Sequence, residues 1–137
     1  MEAIRRMKTA LNDRNYDVFD ELYAEDYATE MRRSGDDAPV VTRDDVRTLH
    51  EEYVASFPDY RDELVEIVAD GDRVATYSRI TGTHEGVFRG IEPTGKSVDY
   101  TSFGLYWFED GKIVRSVGMV GWPTLLGQLG VELPIQG

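Results

Sequence analysis

The chemistry open to this chain is concentrated in two histidines, His50 and His84, in tyrosines at strand spacing, and in one glycine-rich run. That run reads Gly82-Thr83-His84-Glu85-Gly86-Val87-Phe88-Arg89-Gly90-Ile91-Glu92-Pro93-Thr94-Gly95. Four glycines and a proline in fourteen residues suit a long, tight connection between two strands, because glycine permits positive φ and Pro-Thr-Gly presets a turn. An imidazole titrates near neutral pH, so His84 is a candidate proton carrier, and both histidines could equally be satisfied structural groups. A His50 and His84 metal pair would need further ligands. Neither H-x-x-x-H spacing nor a clustered carboxylate set is present, so no metal site is expected. No nucleophile elbow, P-loop or dinucleotide fingerprint occurs, and the absence of cysteine excludes thiolate chemistry. Arg79 and Arg115 lie in strand patterns and could bind a carboxylate or carbonyl if they faced inward. Outward arginines countering an acidic surface are the preferred reading, more so for Arg115.

These groups need elements to position them. Ile4, Met7 and Leu11 recur at helical spacing, as do Tyr16, Phe19, Leu22 and Tyr23, which predicts two short amphipathic helices. Asp26 to Arg33 reads as a short extended segment and Ser34 to Pro39 as a loop. Thr42 caps a third helix whose buried stripe is Val46, Leu49, His50, Tyr53, Val54 and Phe57, and Pro58 ends it. The period then shifts to two. Tyr60 to Ala69, Arg73 to Thr83, Ser97 to Phe108 and Lys112 to Val120 are strands, with Asp-Gly turns closing the first and last pairs. Trp122 to Leu129 is a closing helix. Helices first and antiparallel strands afterwards predict an α+β domain. Strand alternation sends Tyr100, Ser102, Gly104 and Tyr106 to one face and Phe103, Leu105 and Trp107 to the other.

At 137 residues and 41% apolar composition, one domain over residues 1–137 is expected. A net charge of −11 repels polyphosphates, so neither nucleic acid nor an anionic membrane is an expected partner. No apolar run reaches the roughly 20 residues that cross a bilayer, and the start lacks a signal-peptide core, which predicts a cytoplasmic protein. Lysine occurs only at positions 8, 96 and 112 while aspartate is abundant, a bias that fits a salt-adapted, halophile-like cytosol.

The Gly82 to Gly95 run, Glu109 to Ile113, Leu125 to Gly130, and upstream Phe57-Pro58-Asp59 and Asp70 to Val74 together resemble the SnoaL-like polyketide cyclases and their ester-cyclase relatives. The resemblance implies the nuclear transport factor two-like, or cystatin-like, roll: a cone-shaped curved antiparallel sheet around about three N-terminal helices. It places Tyr100, Ser102, Gly104 and Tyr106 towards the cavity, joined by Ser116, Gly118 and Val120 from the next strand. The implied pocket comprises His50, Tyr53, Phe57, His84, Tyr100, Ser102, Tyr106, Ser116, Gly118 and Trp122. In the family's G-T-H motif the imidazole would bond across the loop. Relatives close a ring by intramolecular aldol chemistry with a carboxylate base, but both aspartate positions are glycine here, at Gly118 and Gly121. Glu30 is the candidate replacement, with a solvated glutamate beside Arg32 and Arg33 as the preferred alternative. The implied ligand is a small apolar or carbonyl compound, turned over by a cyclase- or isomerase-type enzyme or bound without chemistry. No cofactor is implied. A homodimer through the Phe103, Leu105 and Trp107 face is expected.

Overall fold

The structure, a computed structural model, describes residues 2–30 and 40–130. The predicted loop from Ser34 to Pro39 lies outside the described residues, as do residues 31–33. Helix α1 spans Glu2–Asn12, and a 3-10 turn at Tyr16–Val18 leads into the short α2 at Phe19–Leu22. Strands β1 (Ala28–Glu30) and β2 (Val40–Thr42) form a two-stranded antiparallel ribbon. Helix α3 covers Arg43–Ser56. Then come β3 (Arg61–Asp70), β4 (Arg73–Thr83), β5 (Ser97–Glu109), β6 (Lys112–Val120) and α4 (Trp122–Gln128). The last four strands make one curved antiparallel sheet in sequence order, so the predicted α+β architecture holds.

Local chemistry sets the boundaries. Thr42 and Asp45 form a reciprocal capping box that starts α3, satisfying two backbone donors the helix leaves open. Asp110 and Gly111 both take positive φ between the paired Glu109 and Lys112, the backbone that matches strand twist in a two-residue hairpin. The predicted stripe of α3 is only partly sunk. His50 and Phe57 are buried, whereas Val46, Leu49, Tyr53 and Val54 stay half-buried.

Two hydrophobic cores hold the sheet to the helices, one at each end. The first joins Ile4, Met7, Phe19, Leu22, Tyr23 and Tyr27 to Val74 and Ile113 of the sheet. The second joins Phe57, Phe88, Leu125 and Leu129 to Ile80, Val98 and Tyr100. Between them the concave face of the sheet changes character. One cross-strand row reads Leu64, Ser78, Ser102, Val120, and the next reads Ile67, Thr76, Gly104, Gly118. Small and polar side chains thus fill the middle of each of β4, β5 and β6, where two apolar cores would otherwise merge.

Candidate ligand pocket

This polar waist is the candidate site. Alternation points Ser102, Tyr106 and Ser116 to the concave side, yet all three keep partial exposure while neighbouring Ser78, Thr76 and Tyr100 are buried. Among the described residues, a Cβ built on Gly118 would come near the Phe103 carbonyl oxygen alone, at 3.8 Å. The described residues leave open space above that strand. Gly104 is glycine for the opposite reason. A Cβ there would stand 2.9 Å from the Tyr106 ring and from Thr76 Oγ1, because Tyr106 leans back along its own strand across the waist. Ser116 anchors the far edge through a 2.7 Å hydrogen bond with the Tyr27 hydroxyl.

A buried ion pair borders the waist. Lys8 of α1 donates to Asp62 Oδ2 of β3 at 2.8 Å, with both side chains about nine-tenths or more buried. Burial alone would pull the Lys8 ammonium down, but the Tyr106 hydroxyl and the Asp62 carboxylate outweigh it and hold the group above its ordinary value. Lys8 is therefore cationic. The Asn12 side chain fixes the Asp62 backbone, donating through Nδ2 to its carbonyl and accepting from its N–H through Oδ1, both at 2.8 Å. Arg14, in a positive-φ turn after α1, donates to the carbonyls of Pro58 and Tyr60 and so ties the same helix end to the entry of β3.

Tyrosines surround this pair. Burial raises Tyr60 well above the usual phenol range and raises Tyr100 strongly too, with the Asp62 charge adding to both. They stay protonated donors. His50 packs edge-on against Tyr60, at 5.3 Å between centroids, and its Nδ1 bonds the Tyr16 hydroxyl at 2.7 Å. Burial, then the Arg14 charge, lowers His50 to about 4, so the imidazole is neutral at physiological pH. Among the described residues, three buried atoms in this region have no hydrogen-bond partner: Asp62 Oδ1, His50 Nε2 and Ser78 Oγ. An unsatisfied buried polar atom costs about 1–3 kcal/mol, so such a gathering calls for a ligand or water.

The sequence-derived residues divide between the waist and its walls. Tyr100, Ser102, Tyr106, Ser116 and Gly118 share the concave face. Phe57 and His84 expose no surface and back the wall from within the second core. His84 bonds across its loop as the motif implies: Nδ1 accepts from the Thr94 N–H at 3.2 Å and lies 3.0 Å from Thr94 Oγ1. Gly86 lets that loop rest on α3. A Cβ there would fall 2.2 Å from the Ala55 carbonyl oxygen, and the Glu85 and Gly86 N–H groups both donate to Ser56 O. Tyr53 lines a cleft of about 250 Å³ beside the loop, with Glu52, Ser56, Val87, Phe88 and Arg89. Glu30 closes β1 and Trp122 opens α4, but their side chains lie outside what the structure describes. Arg79 points outward to pair with Asp99, and Arg115 stacks outward on Trp107 at 4.4 Å. Among the described residues, no three metal-ligating groups gather.

Periodicity does not single out Lys8 or Asp62. The available signal is a lone lysine on the Ile4 and Leu11 stripe, and an aspartate in phase with the inward residues of β3 before its bulge at Leu64 to Glu66.

A curved four-stranded antiparallel sheet closed by helices defines an α+β protein of the nuclear transport factor two-like class. The chain belongs to the SnoaL-like polyketide cyclase family, whose model matches residues 1–129. It is similar to the crystal structure of IdmH from Streptomyces antibioticus, a proposed polyketide cyclase, at 28% identity and TM-score 0.84, covering 95% of this chain and 97% of that one. AclR from Streptomyces galilaeus, a proposed hydroxylase, is 29% identical with TM-score 0.83, covering 97% and 96%. A SnoaL-like polyketide cyclase from Agrobacterium tumefaciens shares the fold at 21% identity and TM-score 0.76, covering 93% and 95%. Among curated proteins no match is found. No helix among the described residues is long and apolar enough to cross a membrane.

Proposed function

We propose that this protein is a cyclase- or isomerase-type enzyme acting on a hydrophobic compound that carries carbonyl groups. The observation that carries this reading is the waist itself: inward hydroxyls on Ser102, Tyr106 and Ser116 that keep partial exposure between two apolar cores. Such a site orients a carbonyl by hydrogen bonds while its ends bury the hydrocarbon. Family membership favours ring closure or isomerisation. The relatives IdmH and AclR carry different proposed activities at nearly equal likeness, so the choice rests on site chemistry and not on the fold.

A second reading, binding of a small apolar ligand without turnover, is favoured by Gly118 and Gly121, which stand where the resemblance expects carboxylates. A panel of hydrophobic diketones incubated with the protein separates the two. Conversion to an isomer of equal mass, resolved by chromatography, supports the enzyme; a raised melting temperature without conversion supports the binder, and neither effect overturns both. The same reading has the protein working in the cytoplasm as a homodimer. Its convex face carries an apolar patch, with Phe103 and Met119 paired across β5 and β6 at 56% and 71% exposure, and a second copy of that patch is its self-complementary partner.

A further inference from the structure

We propose that Asp62 is the proton-accepting group of this pocket and that its substrate is an enolisable hydrophobic ketone, with Lys8 as a positioning residue. The inference rests on the carbonyl-enzyme reading above and supplies the base that Gly118 and Gly121 do not.

The geometry is specific. Asp62 is 5% exposed, and its two oxygens have different work: Oδ2 takes the Lys8 ammonium at 2.8 Å, while Oδ1 has no partner among the described residues. A buried carboxylate with one idle oxygen is costly as mere structure, since the remaining lone pairs of a buried ion pair need satisfying. An acidic C–H, or the hydroxyl of an enol, would satisfy it. Asn12 grips the Asp62 peptide on both sides, so the carboxylate is held on a strand and not on a loop. Asp62 stands in the cross-strand row Asp62, Ile80, Tyr100, next to the waist row Leu64, Ser78, Ser102, and Tyr106 reaches over Gly104 in the same waist. Strand register thereby sets the base beside the waist.

The step balances without another reactant. Asp62 Oδ1 takes a proton from the carbon next to a carbonyl, the C–H electron pair moves into the enolate, and a neighbouring tyrosine O–H donates to the enolate oxygen. The enolate then either takes the proton from Asp62 at the far carbon of a conjugated dienolate, which shifts a double bond, or attacks a second carbonyl of the same molecule through its α-carbon. In the latter case the new alkoxide takes the proton back from Asp62. Both outcomes leave a product isomeric with the substrate.

The test is deuterium exchange of the methyl protons of 2-acetonaphthone in heavy water, followed by proton NMR. The wild-type protein should accelerate exchange with saturation. Asp62→Asn should cut kcat by about 10²-fold or more at unchanged KM, the range for a positioned base, and Asp62→Glu should recover part of it. A merely structural carboxylate would not give that split. Should Asp62→Asn fail to fold, Lys8→Met with Asp62→Leu supplies a packed protein without the carboxylate, and it too should be inactive. Exchange retained in either variant overturns the role of Asp62 and leaves the carbonyl reading standing. A wild-type protein that binds the ketone without exchanging it overturns both.

Discussion

Gln128 holds Asp99 by both sides of its peptide: Oε1 accepts from the Asp99 N–H and Nε2 donates to its carbonyl, each at 2.7 Å. Strand β5 runs on past the end of β6, whose last partner is Ser102, so the Asp99 backbone lacks a strand on that side. The amide of α4 substitutes for it. Gln128→Ala should cost roughly 1–2 kcal/mol by denaturant unfolding, in line with losing two bonds at a partly exposed site. Amide exchange should quicken at Asp99 first. Gln128→Glu should cost more, because its carboxylate would face a carbonyl.

The Lys8 and Asp62 pair should behave asymmetrically. Lys8→Met alone strands a buried carboxylate and should destabilise by about 3–5 kcal/mol. Adding Asp62→Leu should recover most of that loss. Chemical denaturation of the wild type, both single variants and the double variant gives the coupling directly, and simple additivity would mean that the pair does not interact.

Stability should fall as the solution is acidified through the range of His50. Its folded value is lowered to about 4 from an ordinary 6.5, so the unfolded chain takes up the proton first. The contribution is fully present above about pH 6.5 and is lost as pH drops towards 4, amounting to roughly 3 kcal/mol at most. His50→Leu should flatten the slope of melting temperature against pH over that window, although it also loses the Tyr16 bond. A slope equal to that of the wild type would refute the assignment.

Two glycines of the waist should respond oppositely to a side chain. Gly118→Asp enters open space and should fold within about 1 kcal/mol of the parent, as surface-accessible substitutions do. Placed in the Asp62→Asn background, it should restore part of the lost ketone exchange. Gly104→Ala pushes against Tyr106 and Thr76 and should cost roughly 1–3 kcal/mol through overpacking.

The convex patch should set the assembly state. Phe103→Glu with Met119→Glu places charge in the middle of the exposed apolar pair and should convert a dimer into a monomer by sedimentation. A wild-type protein that sediments as a monomer at micromolar concentration would refute the interface.

The order of the helices and of the four sheet strands, the Asp110-Gly111 hairpin, the Thr42 cap and the shared face of Tyr100, Ser102 and Tyr106 are legible in the sequence. Each follows from a short-range rule: a period of 3.6 or 2, a turn that needs positive φ, or a side-chain oxygen placed to cap a helix. The inward direction of that shared face comes from the resemblance, β2 carries no such signal and the first hairpin turns at Gly71-Asp72. Family membership is legible for a related reason. The glycine-rich loop must let Gly86 approach the Ala55 carbonyl and must place His84 against Thr94, and those demands leave a recognisable spacing. What the sequence could not decide is which residues meet across long separations. Lys8 and Asp62 are 54 positions apart, and neither is distinguished from a solvated charge until α1 packs against β3. The same holds for the waist: the resemblance turns Gly104 and Gly118 inward, but with Ser78 they become a gap between two cores only when strand register brings their rows together. Local preference is written residue by residue, whereas burial of a charge and the position of open space belong to the packed whole.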